Sequence, residues 1–227
     1  MAFNVVERID DAVKIRHVLA SVSDKTGLDG FLRRLTELNP EVRIYSTGGT
    51  YKAIEQALGP VRAARNLLQV SEYTGQPEMQ GGLVKTLDYR IYLGLLSETY
   101  NDAHRRDLDR TGAVALDMVV VNLYPFAQTV AQVGVTVEQA RGNIDIGGPC
   151  MVRAAAKNFL RVASVTDPAE YERVLSEIQR TRGMLSLRTR FELARKAFAH
   201  TAAYDAAIAQ YLQQRTYEDV ARGYRYV

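Results

Sequence analysis

A chain of 227 residues, 47% of them hydrophobic, is long enough for one α/β domain with a helical extension. Its net charge of +3 is too small for electrostatics alone to argue nucleic-acid binding, and no apolar run approaches the roughly 20 residues of a membrane span. The single cysteine, Cys150, excludes a disulfide framework within the chain and suits a reducing cytoplasm, and with only three scattered histidines it argues against structural zinc.

Residues 1–16 mix charges with short apolar pairs, which predicts an N-terminal extension and no signal peptide. HVLASVSD at 17–24 reads as a short buried strand, followed by an amphipathic helix through about Leu38 that Asn39-Pro40 ends. VRIYSTGG at 42–49 predicts a second strand, and Thr50–Leu58 a helix stopped by Gly59-Pro60. The continuous branched-apolar core of residues 117–126 is the pattern of a strand covered on both faces. VASVT at 162–166 repeats it before a helix over roughly 168–182. Residues 186–214 read as helical, and the polar, tyrosine-rich tail 214–227 as a loose terminus. The alternation predicts an α/β fold with a parallel sheet flanked by helices, its domain spanning 17–213.

In an open parallel sheet, ligands bind beyond the carboxyl ends of the strands, so the polar segments there carry the chemistry. Ser-Val-Ser-Asp-Lys-Thr-Gly (21–27) sits where the first strand gives way to a helix. The helix N-terminus, Ser23, Lys25 and Thr26 offer donors to a phosphate, although Ser23 and Asp24 also read as an ordinary cap. Ser46-Thr47-Gly48-Gly49-Thr50 repeats that arrangement one unit later, with paired glycines that let the backbone approach an anion. Neither segment is a nucleoside-triphosphate loop or a dinucleotide fingerprint. Asn122 and Tyr124 end the long apolar strand at Pro125. Asp145 lies just before an alanine-rich helix that begins near Pro149, close to the backbone N–H groups of Ile146 and Gly147. On that helix Arg153 and Lys157 are four apart and share a face. An acid, an N–H cradle and a lysine within thirteen residues suit proton transfer, and a capping aspartate with two solvated basic residues reads from the same letters. Lys85 stands alone between apolar residues, and six lysines among 29 basic residues make each lysine conspicuous.

Taken in order, these segments resemble the cyclohydrolase domain of the bifunctional purine-biosynthesis enzyme, which pairs inosine monophosphate (IMP) cyclohydrolase with an AICAR formyltransferase. The matching stretches are SVSDKTG (21–27), STGGT (46–50), EYTG (72–75) with PEM (77–79), and VKTL (84–87). They continue with DMVVVNLYPFAQTV (117–130), NIDIGGP (143–149), MVRAAAKN (151–158) and KAFAHTAAYDAAIAQY (196–211).

The resemblance implies a methylglyoxal-synthase-like fold, a homodimer, no metal or organic cofactor, and a cytoplasmic enzyme. Its substrate would be a small purine ribotide. No formyltransferase part lies within these residues, so the resemblance implies a free-standing cyclohydrolase, with a separate AICAR formyltransferase as a possible partner. Carried over by position, Lys85, Tyr124, Asp145 and Lys157 are the catalytic candidates. Asp145 would take a proton from the carboxamide nitrogen, and Lys157 would donate to the departing formyl oxygen. Lys85, with Tyr124, would polarise the carboxamide. Ser23, Lys25, Thr47, Gly48, Gly49 and Thr50 would grip phosphate and ribose, with Asp24 and Ser46 also binding substrate. Asn122 would position the base and the N–H groups of Ile146 and Gly147 would hold the oxyanion, with Thr86 and Leu123 also binding substrate.

One stretch departs from the family pattern. Leu83 stands where the family has a ligand-contacting arginine, Asp88-Tyr89 where it has His-Pro, and Tyr92 where it has a second histidine. Arg90 is a candidate replacement for the missing arginine. A non-catalytic purine-nucleotide-binding module of the same fold is the alternative function.

Overall fold

The computed structural model describes residues 5–77, 79 and 84–227. The expectations placed on Glu78, Gly81, Gly82 and Leu83 lie outside the described residues. In chain order the elements are β1 (Ala12–Lys14), β2 (His17–Val22), α1 (Leu28–Leu38), β3 (Arg43–Ser46), α2 (Gly48–Asn66), β4 (Leu67–Gln69) and α3 (Val70–Thr74). They continue with α4 (Tyr89–Leu96), α5 (Asp102–Thr111), β5 (Met118–Asn122), α6 (Phe126–Val130), α7 (Val137–Gly142) and α8 (Gly147–Lys157). The chain closes with β6 (Ala163–Val165), α9 (Tyr171–Arg180), β7 (Met184–Ser186), α10 (Leu187–Gln213) and α11 (Tyr217–Ala221).

Five parallel strands form one sheet in the order β4-β3-β2-β5-β6. The period-two alternation of the central strands divides the core into two layers. Val18, Ala20 and Val22 of β2, with Met118 and Val120 of β5, face α1, α2 and α9. Leu19, Val119 and Val121 face α4, α8 and α10 on the other side. Each of these apolar side chains is at most 5% exposed, and burial of one such side chain stabilises the fold by about 1.5–3 kcal/mol. Helices on both faces explain why these strands read as unbroken apolar runs.

Several boundaries differ from the sequence expectation. The strand expected to reach residue 49 ends at Ser46, and Gly48 and Gly49 open α2 instead. Gly59 does break that helix, with φ 72° and ψ 169°, but the chain resumes helical geometry at Pro60 and runs on to Asn66. Proline is tolerated there because the first turn of the resumed segment needs no amide donor. Residues 12–16, read as part of an extension, are built into the domain. β1 pairs antiparallel with β7, Ile15 is fully buried, and the Asp117 carboxylate accepts from the Arg16 and His17 amides at 2.8 and 2.9 Å. The tail read as loose contains α11, opened by a Thr216–Asp219 capping box, and its Tyr224 hydroxyl donates to Glu138 on α7.

Candidate active site

β2 and β5 are the strands at which the winding of the sheet reverses, and a cleft of about 590 Å³ lies at their carboxyl ends. Three strand-to-helix junctions and the N-terminus of α8 build it. Ser23 and Lys25 follow β2, Thr47, Gly48, Gly49 and Thr50 follow β3, and Asn122 and Tyr124 follow β5. Asp145, Ile146 and Gly147 come from the α7–α8 connection, with Lys85 and Thr86 beside them.

The first half of the cleft suits an anion. α2 begins here with no side-chain cap on Thr47, leaving its first-turn N–H groups and its positive dipole end available. Gly48 sits at φ 52°, a conformation that favours glycine, and the Lys85 ammonium lies 3.2 Å from where a Cβ would stand. Lys85 is therefore in reach of an anion held by this turn. The neighbouring hydroxyls do other work. Thr50 is 5% exposed, donating to the Val22 carbonyl and accepting from the Val22 amide, both at 3.1 Å. Ser46 is buried and donates to the Ala20 carbonyl at 2.7 Å, so it supports the turn from behind rather than facing the cleft.

Asn122, expected to position a base, is used as a brace. Its side-chain oxygen accepts from the Ser23 and Asp24 amides at 2.7 and 2.9 Å, and its amide nitrogen donates to the Asp24 carbonyl at 2.8 Å. Asp24 is exposed and caps its own turn through the Thr26 amide and hydroxyl. That local use, rather than ligand contact, is what its position allows.

The second half of the cleft centres on Asp145. Its carboxylate accepts from the Gly148 amide at 2.9 Å and from the Tyr124 backbone N–H, while burial raises its pKa above the ordinary carboxylate value. Ile146 offers α8 no side-chain cap and the Asp145 carboxylate takes up the Gly148 amide, so the N–H groups of Ile146 and Gly147 are the ones left at this second positive helix end. A Cβ on Gly147 would come within 2.8 Å of the Thr86 hydroxyl, and one on Gly148 would collide with Asp145 and Leu123. Tyr124 is 53% exposed at the mouth, and Leu123 is core, 7% exposed and packed among the side chains of the α8 face. The expectation that Leu123 contacts substrate is thus corrected for its side chain.

Lys157 needs a larger correction. It is the last residue of α8 and exposed, whereas the helix meets the cleft at its first residues. At ~1.5 Å rise per residue the two ends are about 15 Å apart along the axis. This chain therefore does not bring Lys157 to Asp145. The linear proximity was misleading because helix residues twelve positions after Asp145 continue away from it.

Arg90 does not enter the cleft either. Its guanidinium donates to the Tyr73 carbonyl at 2.8 Å, and Asp88 caps α4 through the Arg90 amide. Tyr92 packs inward beside Cys150, and burial raises its pKa. Sequence reading missed Asn143, Ile144 and Met151, which also line the cleft, because nothing in their type marks them as ligand-facing. Among the described residues no helix is long and apolar enough to cross a membrane.

The comparisons with known proteins follow this geometry. The model of the MGS-like domain matches residues 27–150, and that of the AICARFT/IMPCHase bienzyme matches residues 155–226. The bifunctional purine biosynthesis protein PurH of Neisseria meningitidis serogroup C is 47% identical over 209 residues, and that of Sorangium cellulosum 52% identical over 198. These alignments cover 92% and 87% of this chain but only 38% and 36% of the relatives' length. The crystal structure of ForH superposes with a TM-score of 0.74 at 30% identity, over 86% of this chain and 95% of that one. With its parallel sheet, its cleft at the winding reversal and more than half its length matched, the chain belongs to the MGS-like domain family.

Proposed function

We propose that this chain is an IMP cyclohydrolase of purine biosynthesis, closing 5-formamido-1-(5-phosphoribosyl)imidazole-4-carboxamide to IMP with loss of water. The observation that carries the reading is the Asp145 carboxyl, with its raised pKa, held at the N-terminus of α8 in a cleft also lined by the N-terminus of α2 and by Lys85. Relatives named as bifunctional purine biosynthesis proteins, aligned over nearly the whole of this chain, support it.

The substrate holds both reacting groups, so catalysis is a matter of holding a near-attack conformer, moving protons and stabilising an oxyanion. The phosphate lies on the α2 N-terminus with Ser23, Lys25 and Lys85. The carboxamide nitrogen bonds to the formyl carbon and gives one proton to Asp145, whose raised pKa makes it a better proton acceptor than an ordinary carboxylate. Negative charge develops on the formyl oxygen, facing the N–H groups of Ile146 and Gly147 and the Tyr124 hydroxyl. Protonated Asp145 hands its proton back to that oxygen. The oxygen leaves as water with a second proton, which originates from the formamido nitrogen, and the ring double bond forms. No step requires Lys157 from the same chain. A homodimer and a separate formyltransferase that supplies the substrate belong to the same proposal.

The test is an Asp145→Asn variant assayed with the formylated ribotide. Turnover should fall by about 10²–10⁴-fold, the range for loss of a general acid–base, while IMP still binds. An Asp145→Asn protein that keeps most of its turnover would overturn the assignment.

A further inference from the structure

Asp145 is held from behind as well as from the cleft. The Asp145 amide donates to the Tyr204 hydroxyl at 2.8 Å, and that hydroxyl donates in turn to the Asn143 carbonyl at 3.3 Å. Tyr204 projects from the middle of α10 and is 9% exposed. Its ring packs edge-on against Phe126, with centroids 6.3 Å apart, and Phe126 follows Tyr124 by two residues. One side chain therefore touches both loops that carry the proposed chemistry. The residues between α7 and α8 have no ladder or helix of their own, so the Tyr204 hydroxyl is the partner for two backbone groups that would otherwise be left without one.

We infer that Tyr204 is a positioning residue, which registers the Asp145 loop and the Tyr124 loop against α10 through its hydroxyl and its ring. The inference rests on the cyclohydrolase reading for its catalytic consequence, and on geometry alone for its structural one. Tyr211 provides a matched comparison. It lies one face-repeat further along α10, packs edge-on against the same Phe126 at 5.8 Å, and is 5% exposed. Its hydroxyl has no hydrogen-bond partner among the described residues. The two tyrosines share packing and differ in what the hydroxyl holds.

The experiment compares Tyr204→Phe and Tyr211→Phe with the wild-type chain. Each substitution keeps the ring and removes the oxygen. For Tyr204→Phe, kcat should fall about tenfold or more with KM changed less than about twofold, the signature of a misplaced group that acts in the transition state. Its acid limb should move to lower pH as the loosened loop admits water to Asp145. The other ionisable groups lining the cleft among the described residues, Lys25, Lys85 and Tyr124, are unchanged by the substitution. Hydrogen exchange at the Asp145 amide should quicken in Tyr204→Phe and stay at the wild-type rate in Tyr211→Phe, whose kinetics should also match wild type. Unchanged exchange at Asp145 in Tyr204→Phe, or equal losses of kcat in both variants, would overturn the inference. A wild-type chain that fails to turn over would count against the cyclohydrolase reading, and the exchange rates would still decide the role of Tyr204.

Discussion

Asp145 carries a charge in a place that disfavours it. Burial raises its pKa, opposed by hydrogen bonds from the Gly148 and Tyr124 amides, and the net direction is upward. For an acid whose folded pKa exceeds its unfolded one, the native state is penalised once the group ionises. The penalty is absent below the unfolded pKa, grows as pH rises through the interval between the two values, and is complete above the folded one. Asp145→Asn should therefore raise Tm relative to wild type at pH 7 and give a smaller gain near pH 4, even as turnover is lost. Thermal melts at the two pH values check this. A Tm difference that is the same at both would show that ionisation of Asp145 has no stability cost. The rate should likewise fall on the acid side at a pH above the ordinary carboxylate range, because the base must be ionised to accept a proton.

At the scale of elements, α8 is both a core helix and a wall of the cleft. Met151, Val152, Ala155 and Ala156 are buried against the sheet, and this fixes where its first turn stands. Gly148 is required at that turn, because a Cβ there would displace the Asp145 carboxylate and Leu123. Gly148→Ala should cost about 10²-fold in kcat, as expected when a reacting group is shifted by an ångström, with the circular dichroism of the fold retained. Wild-type kcat in that variant would mean that the Asp145 carboxylate does not need its present position. Arg190 on α10 secures a different junction. Fully buried, it donates to the carbonyls of Phe159, Leu160, Leu185, Asp10 and Asp11, joining the turn between α8 and β6, β7 and the N-terminal segment. Arg190→Met should destabilise the chain by about 3 kcal/mol or more, since it leaves several buried carbonyls without donors. Chemical denaturation measures this, and a change under 1 kcal/mol, roughly the worth of one ordinary hydrogen bond, would contradict it. The sequence made the parallel strands β2, β3, β5 and β6 and the helices α1, α8, α9 and α10 legible because apolar patterns run through and around them. It did not reveal β1, β4 or β7, because none of these three-residue strands sits in a run like the VASVT around β6, and β1 finds its partner some 170 residues away. Tyr204 could be read as a buried residue from its spacing with Leu193, Ala197 and Tyr211 on one helix face. Its hydrogen bonds depend on a loop that no periodicity describes.

For the molecule as a whole, the order of the strands gathers the site. β2 lies at the centre, later strands were added first on one side and then on the other, and the loops from both directions meet above it. That topology brings Ser23, Lys25, Thr47–Thr50, Lys85, Thr86, Tyr124, Asp145, Ile146 and Gly147 into one cleft, although they come from five segments of sequence. Motif order was enough to name these residues, because every motif but the Lys85-Thr86 one ends a strand or opens a helix. The same reasoning misplaced Lys157, which the sequence sets near Asp145 and the helix carries away. Asp24, Ser46 and Leu123 were named for their neighbours' chemistry and prove to be used in a turn, a brace and the core.

Ring closure within this cleft can be followed with the formylated ribotide carrying ¹⁸O in its formyl group. IMP should form rapidly without the label, at a rate lost in Asp145→Asn, with the ¹⁸O recovered in water. A chain that binds the nucleotide and leaves it labelled and unclosed would contradict the account and mark the cleft as a binding site alone.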